Sequence, residues 1–408
     1  MSKKEKYLSS FSLKLYNICQ RWPYIRKFKV LLYFLDSLLL CFIKKPKKFS
    51  NQKRKEVLII YNYSFGDGII FLCSFKNIRE IYPKKYYKIT IICQKGLQSI
   101  YENTNLFDEI VPYDLTGSTF NIKIRFNLFK LLRSKYYSIL IDPIGVNECT
   151  TNVFMSMATC ADEKITIIDQ TIKNKMCPKW IYKKIYTKIF EVTKENQSLI
   201  SYYNEIIKGL NNKKSRITFE NGSLKKISIK LPQAYYIVFP SASTVLKNWP
   251  IDRYLEIIKR VYNETKLPVL FCGTKSDIKN IQELKKMLID VPYYDIVGKT
   301  NLLDFIEVIK RSKFVITNDT STYHIAVTNQ IPVAIITGGY TYDRYVTYNF
   351  EGSKNYRRPY IIVKRMKCFN CDNNCKKLRR NSNTWPCLDA ITVDDAWKII
   401  KEMINKET

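Results

Sequence analysis

From residue 56 onward, short runs of β-branched and aromatic residues alternate with stretches whose apolar positions recur every three to four residues. Residues 57–61, 89–93 and 137–142 read as strands, a glycine-containing loop after the first leads to a helix ending before Pro83, and residues 122–134 form an amphipathic stretch. The second half repeats the scheme, with strand-like runs at 235–239, 268–272, 314–317 and 332–336 and helical periodicity over 251–265 and 302–312. Strands that alternate with helices imply βαβ units and parallel sheets. Residues 211–232 are polar, basic and poor in periodic apolar signal, so they read as a linker. The expected fold class is α/β, with two Rossmann-like domains over 56–210 and 233–408. Parallel sheets bind ligands beyond the carboxyl ends of their strands, so two such domains facing each other would enclose one cleft.

Residues 1–55 stand apart as a basic, partly apolar N-terminal arm. They hold 15 of the 68 Lys and Arg side chains and only 2 of the 36 acidic ones, within a chain of formal charge +32. Such charge points to nucleic acid, an anionic membrane or an acidic substrate. Lys, Asn, Ile and Tyr are abundant together, as a biased coding composition produces, which discounts the charge, and no nucleic-acid module is recognisable. No nucleic-acid partner is expected. The 14 residues 30–43 form a mostly apolar run with an Asp inside, too short for a spanning helix of about 20 residues. The run begins far from Met1 and lacks a small-residue cleavage site, so a secretory signal fits poorly and cytoplasmic placement is expected. Two readings of the run stand: a helix on an anionic membrane surface, flanked by Arg26, Lys27, Lys44 and Lys45, or a helix packed on the main body.

Three loops at predicted strand ends carry the candidate chemistry. In residues 62–68, Gly66 and Gly68 flank Asp67, a carboxylate able to take a proton or to cap the following helix. Residues 239–250 place the hydroxyls of Ser241, Ser243 and Thr244 before Lys247, a set suited to phosphate, with Trp249-Pro250 stiffening the start of the next helix. In residues 314–327, Asp319, Thr320, Ser321 and His324, the only histidine, lie where a strand turns into a helix. Such a helix start offers unpaired N–H groups and partial positive charge to a diphosphate, with Thr320 or Ser321 as N-cap.

Twelve cysteines do not by themselves imply secretion, because eight are scattered and several, such as Cys93 and Cys272, sit in strand-like runs as small core residues. The other four, Cys368, Cys371, Cys375 and Cys387, are spaced as tetrahedral zinc ligands are, and free thiols or disulfides are the other readings. Around them, residues 354–380 hold ten basic side chains and one acidic.

The ordered loops resemble glycosyltransferase family 9, the heptosyltransferases of bacterial lipopolysaccharide assembly. The carriers are Gly66-Asp67-Gly68 with the later Tyr82-Pro83, then Lys247-Asn-Trp-Pro250 with Arg253-Tyr254, then a strand and glycine leading to Asp277, then Gly298-Lys-Thr-Asn-Leu302, and finally Asp319-Thr-Ser-Thr-Tyr-His324. The likeness spans roughly residues 56–400. Ser321 stands where the motif has glycine, and Cys73 falls in a region where the family usually has proline. The resemblance implies a GT-B architecture, with the acceptor bound mainly by the first domain, near Gly66 and Gly68, and the nucleotide-sugar by the second. It further implies inversion at the anomeric carbon without a catalytic cofactor or divalent metal, any zinc at the cysteines being structural. Asp67 would serve as base, Lys247 and the helix start near Thr320 would meet the departing diphosphate, and Asp277 would accept from the ribose. The implied partners are an ADP-heptose-type nucleotide-sugar, a glycolipid or saccharide acceptor, and the inner face of the cell membrane. Because the arm lies outside the likeness, its removal is expected to spare the chemistry.

Overall fold

The computed structural model describes residues 29–48, 53–147, 151–172, 177–193, 197–211, 217, 219, 224–348, 356–379 and 382–407. The chain divides into two compact units, Met1–Arg216 and Ile217–Thr408. Much of the expected linker, and the arm before residue 29, lie outside the described residues.

In the first unit six parallel strands pair in the order β3-β2-β1-β4-β5-β6: β1 Lys55–Tyr61, β2 Tyr87–Gln94, β3 Glu109–Tyr113, β4 Tyr136–Asp142, β5 Cys160–Asp169 and β6 Lys188–Val192. Strand β1 pairs with β2 on one side (Leu58 opposite Thr90) and with β4 on the other (Leu58 opposite Leu140). Residues 57–61 are fully buried, which explains a continuous apolar run where a one-sided strand would alternate. The winding reverses between β1 and β4. Loops leaving the carboxyl ends of these two strands therefore diverge and leave a crevice.

The apolar N-terminal run forms helix Lys29–Cys41, which packs on this unit. Tyr33, Leu40 and Ile43 are buried, and Asp36 is fully buried against Arg125 of helix Ile122–Leu132. Arg125 donates from Nε to Asp36 Oδ1 and from Nη2 to Oδ2, both at 2.5 Å, while its guanidinium lies 4.6 Å from the Phe154 ring centre. Burial raises the Asp36 pKa, and the Arg125 hydrogen bonds and charge oppose that rise. Arg133 Nη1 donates to the carbonyls of Leu40 (2.5 Å) and Ile43 (2.6 Å), which satisfies the helix C-terminus. The run is thus built into the first unit. Among the described residues no helix is long and apolar enough to cross a membrane.

The second unit repeats the winding with β7 Tyr236–Phe239, β8 Val269–Phe271, β9 Tyr293–Asp295, β10 Val315–Asn318, β11 Val333–Ile336 and β12 Tyr360–Ile362, in the order β12-β11-β10-β7-β8-β9. Its reversal falls between β7 and β10. Helix Ile251–Thr265 has the predicted bounds: Pro250 precedes it in extended conformation, Lys266 ends it with φ 58°, and Tyr254, Ile257, Ile258 and Val261 form its buried face. Helix Val393–Glu407 adds Ala396, Ile400, Met403 and Ile404 to the same core. Cys93 and Cys272 are buried core thiols, as expected.

Candidate active site

In the second unit the strand order reverses where β7 and β10 lie side by side, and the loops beyond both carry predicted residues. Lys247 ends a short 3-10 turn, Val245–Lys247, after β7, and Asp319 follows β10. Lys247 Nζ donates to Asp319 Oδ2 at 2.7 Å. The Asp319 side chain is 4% exposed and that of Lys247 21%, so the carboxylate stands behind an ammonium that still reaches solvent. Burial works to raise the Asp319 pKa, but the charge and hydrogen bond of Lys247 hold it below the usual carboxylate range. A buried anion so placed holds the Lys247 ammonium in one orientation.

What holds these loops is a set of residues that spacing could not show. Asn318 Oδ1 accepts from Tyr254 Oη (2.8 Å) and, more weakly, from Trp249 N–H (3.4 Å), while its Nδ2 donates to the Pro240 carbonyl at 2.9 Å. Trp249 is 1% exposed, and its Nε1 donates to the Ile391 carbonyl at 3.0 Å. The tryptophan of the Lys-x-Trp-Pro segment is therefore an anchor that fixes the loop bearing Lys247. The Tyr340 ring lies 5.2 Å from the Lys247 ammonium, a cation–π distance.

Helix Ser321–Thr328 starts beside Asp319. Thr320 is its N-cap, in extended conformation, and its side chain accepts from Thr322 N–H at 3.2 Å. Ser321 is not among the described residues with positive φ, so serine in place of the motif's glycine brings no left-handed backbone strain. His324 is 5% exposed, with Nδ1 2.7 Å from Tyr348 Oη. Burial lowers its pKa to about 4, leaving a neutral imidazole near pH 7. Because it is the chain's only histidine, one NMR titration reads it: the expected midpoint is near 4, and a midpoint at or above 6.5 would contradict the buried, neutral assignment. Global stability is a poorer reading. A histidine with a depressed pKa loses stability as pH falls from about 6.5 towards 4, whereas Asp142, raised to about 6 by burial, gains it as pH falls below about 6.

Other predicted donor residues are placed less directly. Ser241 is buried with Asn280 Nδ2 3.5 Å from its Oγ, Thr244 is buried, and Ser243 is exposed. Asp277 closes a capping box, its Oδ2 accepting from Thr274 N–H and Oγ1, each at 2.7 Å. Gly273, at φ 148°, passes so close that a Cβ there would meet Asp277 Oδ2 at 2.9 Å.

In the first unit, Asp67 lies half-buried in the first turn of helix Phe65–Phe75, beyond β1. Its Oδ2 accepts from Ser64 Oγ at 2.6 Å. Ser64 is the N-cap but makes no side-chain bond to the helix backbone, so the serine orients the carboxylate. Gly66 and Gly68 are buried within the helix, and a Cβ on Gly68 would press on Tyr101 Oη at 3.0 Å. Glycine at 68 thus answers the protein's own packing. At the carboxyl end of β4, buried Asp142 accepts from Asn152 Nδ2 (2.7 Å), Tyr186 Oη (2.5 Å) and Ile144 N–H (3.1 Å), which fixes the second loop of that crevice.

The four C-terminal cysteines line one small pocket together with Gly339, Tyr340 and Trp385. Their loop is wound tightly by Asn370, Asp372 and Asn373, all left-handed, and Asn370 N–H donates to the Gly339 carbonyl at 2.6 Å. Burial and the neighbouring thiols push Cys371 up to about 11. Among the described residues no three such side chains stand in a ready metal cage. The cluster also braces the loop bearing Lys247: Trp385 N–H donates to the Leu246 carbonyl (2.9 Å) and Thr384 Oγ1 to that of Asn248 (2.7 Å).

Residues 181–349 match the family described as Glycosyltransferase family 9 (heptosyltransferase). The lipopolysaccharide core heptosyltransferase OpsX of Haemophilus influenzae is 22% identical over 286 residues, 68% of this chain and 78% of that protein. A glycosyl transferase family 9 structure from Veillonella parvula superposes with a TM-score of 0.66 at 15% identity, covering 88% of this chain and 100% of its own. The E. coli heptosyltransferase WaaC, solved with ADP, gives 0.61 at 15% identity, covering 85% and 99%.

Proposed function

We propose that this family 9-like, heptosyltransferase-like glycosyltransferase moves a heptose-type sugar from an ADP-heptose-type donor to a lipopolysaccharide-core or related surface saccharide, with inversion and without a catalytic metal. The observation that carries the reading is the Lys247–Asp319 pair at the reversal of the second sheet, beside the N-terminus of helix Ser321–Thr328. An ammonium held by a buried carboxylate, next to the partial positive charge of a helix N-terminus, suits a diphosphate whose charge grows as the glycosidic bond breaks. Asp67 takes the proton of the acceptor hydroxyl, the oxygen bonds to the anomeric carbon from the face opposite the diphosphate, and the breaking bond's electron pair leaves with the β-phosphate oxygen. One such displacement inverts the carbon. Asp277 and the hydroxyls of Ser241, Ser243 and Thr244 serve the rest of the donor. Relatives act on lipopolysaccharide core and bind ADP, which supports work at the cytoplasmic face of the membrane.

A panel of nucleotide-sugars tests the reading by thermal stabilisation followed by transfer. A true donor at one hundred times its dissociation constant adds about 2.7 kcal/mol of stability. ADP-heptose is expected to stabilise and to release ADP when a core saccharide is added. Stabilisation by no nucleotide-sugar overturns the proposal, and stabilisation without transfer to any saccharide leaves a binding protein of the same fold.

We further propose that Cys368, Cys371, Cys375 and Cys387 hold a structural zinc. Four thiols of suitable donor chemistry share one pocket, and a metal would draw them in as thiolates, releasing protons that burial otherwise retains. Protein purified without chelator is expected to carry about one zinc per chain. Metal-free protein with an unchanged melting midpoint and four titratable thiols sinks the assignment.

A further inference from the structure

The N-terminal helix presents two opposite apolar stripes, and only one of them is used by the fold. Tyr33, Asp36 and Leu40 face inward. Leu31, Phe34, Leu35 and Leu38, with Phe42 just beyond the helix end, follow the spacing i, i+3, i+4, i+7, i+11 on the outer side and are 62%, 58%, 39%, 58% and 75% exposed. Trp180, on the short helix Lys179–Ile185, extends the same surface: its ring is 5.3 Å from Tyr33 and 6.0 Å from Phe34, and it is 51% exposed. Isolated exposed apolar side chains are ordinary. A contiguous set of six on two elements is not.

The charges around this face select its occupant. Lys44 and Lys45 follow the helix, and Lys183 and Lys184 stand three and four residues after Trp180, on the same side of its helix; all four are exposed. Residues 30–48 and 177–188 contain a single acidic residue, Asp36, and it is turned inward onto Arg125. An apolar stripe with an aromatic ring and a rim of lysines matches the acyl boundary and anionic headgroups of a bilayer. A second copy of the chain suits it less well, since a two-fold contact sets the lysine rims against each other.

We propose that helix Lys29–Cys41 and Trp180 form a preformed docking face by which the first unit lies on an anionic bilayer. The helix is anchored through Asp36, Arg125 and Arg133, so the face is rigid before contact and fixes how that unit meets the lipid. The inference deepens the proposed function by naming the surface that carries the protein to a lipid-linked acceptor.

Its test needs neither donor nor acceptor. The full chain is sedimented with vesicles of phosphatidylcholine containing about 30% phosphatidylglycerol, a fraction chosen to give the negative surface potential that attracts basic segments. The double substitution Leu38→Ser and Phe42→Ser is expected to weaken partition at least tenfold, an order-of-magnitude figure for two large apolar groups withheld from lipid. Lys183→Ser with Lys184→Ser is expected to weaken it several-fold at low salt and not at all at high salt. Unchanged partition in both variants overturns the proposal. So does a chain that is dimeric, becomes monomeric on the apolar double substitution and keeps its vesicle binding, because the face then joins two copies. If the apolar variant fails to fold, the lysine variant decides alone. A chain that binds vesicles as described but transfers no sugar retires the catalytic reading and leaves the docking face standing.

Discussion

Replacing Asp67 with Asn is expected to lower turnover by roughly two to four powers of ten while donor affinity stays within about twofold. Asn keeps the size of Asp67 and its ability to accept from Ser64 Oγ, so the first turn of helix Phe65–Phe75 keeps its shape. It cannot take a proton. The loss therefore appears in kcat, where the acceptor hydroxyl must be deprotonated, and not in the binding of a donor assigned to residues of the other unit. Lys247→Ala behaves differently: its ammonium meets the diphosphate before and during bond breaking, so both donor affinity and turnover fall, and buried Asp319 loses the ammonium that pairs with it. Steady-state kinetics and calorimetry on both variants, with one donor and one acceptor, separate the two patterns. An Asp67→Asn protein with near wild-type turnover removes Asp67 from the mechanism and returns it to the role of a helix-start carboxylate.

The contrast between these residues bears on how much of the site could be read from the sequence. That Asp67, Lys247, Asp319 and Thr320 lie beyond strand ends was legible because those strands announce themselves as short, buried apolar runs. Helix Ile251–Thr265 was legible to the residue because its buried positions recur at helical spacing between a proline and a left-handed lysine. Asn318, Tyr340 and Tyr348 were not. Each matters through a partner 24 to 93 residues away, such as Asn318 to Pro240 or Tyr340 to Lys247, and no local periodicity encodes such a pairing. Of the five unpredicted strands, Cys160–Asp169 lies inside its sheet and the other four have a common cause. Glu109–Tyr113, Lys188–Val192, Tyr293–Asp295 and Tyr360–Ile362 are sheet edges, short and in part charged, and charge on an edge hides the apolar signal while guarding against unwanted pairing. The role of Asp36 was equally hidden, since nothing about a lone acid in an apolar run shows a partner 89 residues away.

Asp36→Ala is expected to destabilise the first unit by about 3–5 kcal/mol, because it leaves the Arg125 guanidinium buried and without its counter-charge. Arg125 is itself 3% exposed, and its remaining hydrogen bond, to the Ser118 carbonyl at 3.1 Å, does not neutralise it. A loss of that size lowers the melting midpoint of a unit of this length by about 6–20 °C. Paired replacement with Asp36→Leu and Arg125→Met removes both charges and is expected to recover most of the loss, since apolar residues of similar volume can replace a buried ion pair at little cost. The same reasoning corrects the expectation that the N-terminal arm can be cut away freely. Deleting residues 1–50 takes Asp36, Tyr33 and Leu40 with it and strips the partners from Arg125 and Arg133, so the truncated chain is expected to melt early and to lose turnover through instability, not through lost chemistry. Deletion of residues 1–28 alone leaves the anchor of Asp36, Arg125 and Arg133 whole. Thermal unfolding of the single, paired and truncated variants checks the set together: an Asp36→Ala protein that melts with the wild type would mean that the ion pair does not hold the helix, and that the docking face it carries is not rigidly fixed.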